Sequence, residues 1–535
     1  MRRGAWEEAR EAYRSSLARG ETPEALEQLG LASWWLDDAA TTFDARERAY
    51  RLYREANDPL GAARVALWLV WDYLAFRGDT AVASGWLERA RRILEGHESS
   101  AEYGWLLLRE GEVALFRGHD PRAARDLAVR AAELGRRLGD QGVEFTALAL
   151  EGLALVSAGS VADGMRCLDE ATTAATAGEI KEMHAVGQVC CWQLFACERV
   201  RDYDRAAQWC ARALEFSKRW RTRPMSAICR TQYAGILIWR GAWKEAEAEL
   251  ADSSRELEAV RPASAAQVSA RLGDLRLRQG RLEEATELFE RSGAQPLARL
   301  GLAALALERG DANESVERVE QLLAQVSEGE PTTRAAILEL AVRAAAARGD
   351  ASRAAWALAE LERVGITLGT PPLAASVAEA RGIVSRLRND HAGAAQAFED
   401  ASERYRASGA PFEAARTRLE LARALARLER GPAARREAQV ARDAFRALGA
   451  AREKARAEDF LRRPVSPARS PATVLTPRQV DILRLVAQGL SNPDIATRLR
   501  LSEHTVKRHV ANLLTRLGLP SRAAAAAYAT KQGLI

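Results

Sequence analysis

Through residues 1–461 the apolar positions recur with a helical period, and no stretch alternates as a strand would, so the pattern predicts an all-α chain. A repeating signal punctuates it: a glycine, often preceded by Arg, followed five residues later by Ala or another small residue. Gly4 pairs in this way with Ala9, Gly78 with Ala83, Gly118 with Ala123 and Gly159 with Gly164. Gly241 pairs with Ala246, Gly280 with Ala285, Gly310 with Ser315 and Gly349 with Ala354, while Arg201/Ala206 and Asn389/Ala394 keep the spacing without the glycine. The turn positions mostly recur at 39 to 42 residues, the step from Gly280 to Gly310 being the exception. Such a unit reads as a helix, a tight turn at a left-handed residue, and a second helix whose small residue lets its partner approach. About twelve hairpins of this kind, the first one a half, predict a long α-solenoid in which each repeat touches its neighbours.

After residue 473 the grammar changes. Thr476-Pro477-Arg478-Gln479 reads as a capping box with Pro at the first helical position, closed by Gly489. Ser491-Asn492-Pro493-Asp494 opens a short second helix to about Leu499. Ser502 caps a third, which runs to Leu517 before Gly518, and Ser521 caps a last one ending at Gly533. On the third helix Val506, Val510, Leu513, Leu514 and Leu517 form one apolar stripe. The opposite face offers His504, Lys507, Arg508, Ala511, Asn512, Thr515 and Arg516, with no carboxylate after Glu503. Cations for phosphates, forked donors for base edges and small residues for close approach are what a helix in a major groove needs.

Charge supports the division. Residues 474–535 hold nine Lys/Arg against three Asp/Glu, and 462–473 add three Arg; the whole chain is only +5, so residues 1–461 sum to −4. The segment 462–473, with three prolines and two serines, reads as a semi-rigid linker between a repeat array (1–461) and a helix-turn-helix domain (474–535).

The motifs LTPRQVDILRLVAQGLSNPDIATRL and LSEHTVKRHVANLLTRLG resemble the LuxR family of transcription regulators over the full helix-turn-helix domain. That resemblance implies that the third helix reads double-stranded promoter DNA, with Lys507, Arg508 and Ala511 at the positions that reach bases. Thr505 and Arg522 join His504, Asn512, Thr515 and Arg516 as candidate DNA contacts, and a homodimer is expected on DNA. The chain departs from the family pattern at Gln479, usually Glu, and at Pro493, usually Lys. The repeats are similar to the tetratricopeptide class with longer helices, and the whole chain resembles actinobacterial-type regulators that fuse such an array to a LuxR-type domain. Larger relatives of that group carry an ATP-binding module, but no GxxxxGK[ST] occurs here.

HExxH, CxxC, GxSxG and GxGxxG are also missing, so a non-enzyme with no cofactor and no metal is expected. The longest apolar run, residues 65–76, is interrupted by Asp72 and too short to span a membrane, and no apolar signal region opens the chain. A cytoplasmic protein follows as the expectation. One region is compositionally distinct. All six cysteines fall within 63 residues, with Met165, Met183, Met225, Trp192, Trp209 and Trp220 among or just beside them. Cys190, Cys191, Trp192, Cys197, Trp209 and Cys210 are therefore candidate ligand or partner residues, core packing being the alternative. Trp34, Trp35, Trp68, Trp71, Trp86 and Trp105 supply either repeat interfaces or an aromatic inner wall. The reading is a DNA-binding transcription regulator whose array senses a small molecule or protein and whose output reaches the transcription machinery. The other is a repeat scaffold for protein interactions with an auxiliary DNA-recruitment domain.

Overall fold

The structure is a computed structural model that describes residues 4–221, 223–463, 475, 477–517 and 519–531. The linker stretch 464–473, Met1, Thr476, Gly518 and Gly533 lie outside the described residues, as do the side chains of Met225 and Arg516. Every regular element described is helical.

Helix α1 (Trp6–Leu17) is followed by eleven antiparallel hairpins. The first five are α2/α3 (Pro23–Trp35, Ala39–Glu55), α4/α5 (Pro59–Asp72, Thr80–Ile93), α6/α7 (Ala101–Phe116, Pro121–Leu138), α8/α9 (Gln141–Ser157, Val161–Ala177) and α10/α11 (Met183–Val200, Tyr203–Trp220). Next come α12/α13 (Arg223–Trp239, Trp243–Leu257), α14/α15 (Pro262–Gln279, Leu282–Arg291) and α16/α17 (Pro296–Arg309, Ala312–Gln325). The last are α18/α19 (Pro331–Arg348, Ala351–Leu368), α20/α21 (Pro371–Leu387, His391–Ala407) and α22/α23 (Pro411–Arg427, Gly431–Leu448), after which α24 (Ala451–Arg462) ends the array. The first helix of a hairpin is buried on most sides: α8 buries eleven of its 17 residues. The second is amphipathic and buries one stripe, as α23 does with Ala434, Ala438, Ala441 and Phe445. Two layers result, with apolar helices inside and charged ones outside.

The turns follow the expected grammar, with one shift of register. Gly78, Gly159, Gly241, Gly280, Gly310 and Gly349 have positive φ, and so do Arg201 (φ 60) and Asn389 (φ 62). At the third turn the left-handed residue is His119 (φ 49), not Gly118, and Ala124 rather than Ala123 is buried. Two further turns use Asp37 (φ 60) and Glu429 (φ 58), with Thr42 and Ala434 buried five residues on. The short step from Gly280 to Gly310 is the ten-residue α15, whose Phe289 ring packs where Cβ atoms on Gly273 and Gly301 would be.

The superhelix curls until successive turns touch, and the hairpin turns form the seam. Gly4 rests on the Trp220 carbonyl, to which the Trp6 indole N–H donates (3.2 Å). Arg261 donates to Asp37 (2.6 Å) and to the Trp34 carbonyl (3.2 Å). His119 meets buried Glu330 (2.8 Å), Gly159 packs on Pro331 and Thr367, and Gly280 on Arg452. Arg201 bridges to Glu339 (2.8 Å) and Ser376 (2.9 Å).

Four more helices make the C-terminal domain: α25 (Pro477–Ala487), α26 (Asn492–Leu499), α27 (Glu503–Leu517) and α28 (Arg522–Lys531). No described helix is long and apolar enough to cross a membrane.

Candidate nucleic-acid interface and superhelix lumen

In the C-terminal domain the caps act as the residue types suggest. Ser491 accepts from the Asp494 amide (3.4 Å) while the Asp494 carboxylate accepts from the Ser491 amide (3.2 Å), a complete capping box on α26. Arg500 closes that helix in the left-handed region (φ 51). Ser502 accepts from the Thr505 amide (3.1 Å) and starts α27; Ser521 does the same for α28 through Ala524 (3.1 Å). Gly489 (φ 83) ends α25. Val506, Val510 and Leu513 are buried against Val480, Ile482, Leu483, Val486, Ile495, Ala525 and Ala529, with Leu514 and Leu517 half-buried beside them. Gln479 is buried as well.

This packing fixes which face of α27 is free. His504, Lys507, Arg508, Ala511, Asn512 and Thr515 are all exposed. Lys507 and Arg508 form no salt bridge with any described residue, so both cations are available to phosphates or bases. Thr505 is half-buried and its hydroxyl pairs with that of Ser502 (2.7 Å), which makes it part of the cap. Arg522, expected among the DNA contacts, is turned inward. It donates to Asn492 Oδ1 (2.8 Å) and to the Leu490 carbonyl, stapling α28 to the α25–α26 connection. Its guanidinium satisfies a turn carbonyl that would otherwise lack a partner.

The cysteine-rich region is packed interior. Cys190, Cys197, Cys210 and Trp192 are buried, and Trp209 donates its indole N–H to Asp169 (3.0 Å). Burial pushes the Cys197 and Cys210 thiols up to about 12, Cys191 to about 11, and Cys190 higher still. Such thiols are neutral and inert at pH 7. None of the six residues singled out from the sequence lines either of the two cavities along the superhelix axis, although their neighbours Met183, His184, Phe216 and Trp220 line the larger.

Two cavities lie along the superhelix axis. The larger, about 820 Å³, sits in the first turn. Its walls are Trp68 and Trp105 from α4 and α6, Phe216 and Trp220 from α11, and Trp6 from α1. Arg46 lies 4.5 Å over the Trp68 ring and pairs with buried Asp72 (2.5 Å), whose carboxyl burial pushes up to about 6. Arg64 is held by Glu27 (2.8 Å) and Glu102 (3.0 Å), and Arg109 by Glu112 (2.6 Å). The smaller cavity, about 260 Å³, belongs to the second turn and is lined by ion pairs: Arg201 with Glu339, Arg278 with Glu413, Arg416 with Glu379. The sequence carried a signal for the first lumen in its early tryptophans, but which of them face inward follows only from the curvature.

Comparison with known proteins divides the chain at the same place. Residues 473–529 match the family model described as bacterial regulatory proteins, luxR family. Over 55 residues the chain is 54% identical to the nitrate/nitrite response regulator protein NarP of Escherichia coli, a match covering 10% of this chain and 26% of that one. It is 48% identical over 59 residues to an HTH-type transcriptional regulator of Mycobacterium tuberculosis, covering 11% and 7%. These matches span about a quarter or less of the relatives' own length. Among solved structures, the hetero-tetramer Cut9–Hcn1 of the APC/C superposes with a TM-score of 0.43 at 14% identity, over 84% of this chain and 93% of that one. A Rap protein complexed with competence and sporulation factor gives 0.38 at 12%, over 74% and 99%.

Proposed function

We propose, on the premise that residues 473–529 are a helix-turn-helix domain of the luxR family of bacterial regulatory proteins, that this chain is a sequence-specific transcription regulator acting in the cytoplasm. One observation carries the reading: the face of α27 opposite its buried stripe is continuous, exposed, cationic and free of salt bridges to any described residue. Lys507 holds a phosphate, Arg508 presents its fork to a guanine edge, and Ala511 allows close approach and touches a thymine methyl. Residues 474–535 are the DNA-binding domain, 462–473 the tether and 1–461 the array that receives a signal. One such domain buries little DNA surface, so two copies on half-sites about one helical turn apart give useful affinity. The exposed Ala523 and Ala527 of α28 offer a surface for that pairing.

The test is selection. Purified chain mixed with fragmented bacterial DNA at 0.15 M salt should retain a small set of fragments and protect two half-sites on each. Retention of all fragments in proportion to their length would show non-specific binding and refute the reading.

A further inference from the structure

The lumen of the first superhelical turn has the size of a small-molecule site, within the ~300–1,000 Å³ such sites usually occupy. Its aromatic surfaces are only partly covered by packing, Arg46 lying over the Trp68 ring (4.5 Å). Trp68, Trp105, Phe216 and Trp220 are each half-buried, with neither the Trp68 nor the Trp105 indole N–H bonded to a described residue. Between them stands His184, its ring 3.9 Å from that of Trp68 and 5.2 Å from that of Trp105, without a hydrogen-bond partner among the described residues. Arg46 and Arg109 flank this spot, and the buried Arg46 Nε lacks a partner. Burial and the two guanidiniums hold the imidazole well below its ordinary value. It is therefore neutral at pH 7 and keeps one N–H to give.

The nearby acids are mostly committed. Glu27 and Glu102 hold Arg64, Asp140 accepts from the Val143 amide (3.0 Å), and burial beside Asp140 raises the Glu182 carboxyl. Arg46 is itself paired with Asp72 and Arg109 with Glu112, yet both guanidiniums still oppose positive charge at His184 and the Arg46 Nε keeps a donor to give, which disfavours a cationic ligand and favours an anionic one, while the walls favour a flat ring.

We propose that this lumen binds a flat organic acid, an aromatic or conjugated ring carrying a carboxylate, with the ring against Trp68 and Trp105 and the carboxylate at His184 between Arg46 and Arg109. A ligand that also touches Phe216 and Trp220 bears on the seam, because Trp220 is the residue on which Gly4 and Trp6 close the turn. An acid that fits the closed turn better than an open one shifts the superhelix toward closure. The proposal deepens the reading of the array as the signal-receiving part and rests on that reading only for its consequence at DNA.

The experiment titrates the full chain with 2-naphthoate, following tryptophan fluorescence and heat, beside 2-naphthylmethanol, (2-naphthylmethyl)ammonium and sucrose. Naphthoate should bind one site, about tenfold or more tighter than the alcohol, the charge-assisted hydrogen bond supplying the difference. His184→Leu should abolish that preference, Trp105→Leu should weaken binding by about tenfold, and Trp105→Phe should restore most of it. Trp356→Leu, on the exposed face of α19, should bind like the parent. Equal binding of acid and alcohol, preference for the ammonium compound or for sucrose, no binding, or naphthoate binding unchanged in both lumen variants would each overturn the proposal. No DNA enters this measurement, so acid binding without fragment selection would defeat the regulator reading alone.

Discussion

The two turns of the superhelix are built from one kind of hairpin and enclose different interiors. In the second, aromatic rings satisfy each other: Tyr203 stacks on Trp239 at 4.8 Å, and the Tyr405 hydroxyl donates to Glu379 (2.9 Å). Arginines and glutamates fill what remains. The first turn also buries ion pairs, Arg46 with Asp72 among them, but leaves two indole N–H groups, an imidazole and four half-buried rings facing about 820 Å³ of space. A shared fold thus sets the curvature, and the residues at a few inward positions decide whether the axis is filled by ion pairs or left open.

The sharpest way to break this comparison is to remove one member of the second-turn network. Glu379 is buried, holds half-buried Arg416 (3.0 Å) and accepts from the buried Tyr405 hydroxyl (2.9 Å), so Glu379→Ala strips both of that partner and should cost about 3 kcal/mol in urea unfolding. Trp68→Leu and Trp105→Leu should each cost on the order of 1 kcal/mol, since their outer surfaces have little to lose. Equal losses at both places would mean that the lumens are equivalent.

A smaller effect comes from protons. His184 stays neutral in the fold, whereas the unfolded chain protonates it below about 6.5. The unfolded state then binds more protons, so this residue lowers stability as pH falls below about 6.5, approaching ~1.4 kcal/mol per pH unit. His184→Gln should lack that loss. Asp72 and Glu112, with raised carboxyls, act in the opposite sense and are common to both proteins. Unfolding free energies of parent and variant should run parallel above about pH 7.5 and diverge below 6.5; parallel curves throughout would show that His184 is not shielded.

The least costly check concerns the thiols. Cys190, Cys197, Cys210 and Cys229 should label only on unfolding, while half-buried Cys167 and Cys191 label slowly in the native protein. Rapid labelling of Cys197 or Cys210 would return that region to candidacy as a site.

How far the sequence was legible depends on distance along the chain. Turn and cap signals act within about five residues, so Gly78/Ala83 and Ser491/Asp494 could be read directly. Asp37 and Glu429 lack the glycine that marks most turns, and only the 39-to-42-residue step, from Gly78 and from Asn389, points to them. A second signal would have found Asp37: the left-handed residue is often followed by an Asp that caps the next helix, as Asp38, Asp120, Asp202, Asp311, Asp350 and Asp390 do. The same signal places the third turn at His119, one residue past Gly118. The bonds of Arg522 were not legible, because a cation on a basic domain gives no hint of a turn carbonyl 32 residues away. The seam was illegible for a stronger reason: its contacts join residues up to 227 positions apart and exist only once the curvature of many hairpins has accumulated. For the same reason the clustered cysteines drew notice while His184 did not.

The central claim is that the free face of α27 reads DNA, and Arg508→Ala tests it most directly. On a footprinted operator at 0.15 M salt this variant should lose ~1–3 kcal/mol of binding and relax selectivity at one base pair, while Lys507→Ala weakens all sequences alike and lowers the salt slope by about 1. An Arg508→Ala footprint identical to the parent's, at the same protein concentration and on the same half-sites, would contradict the account.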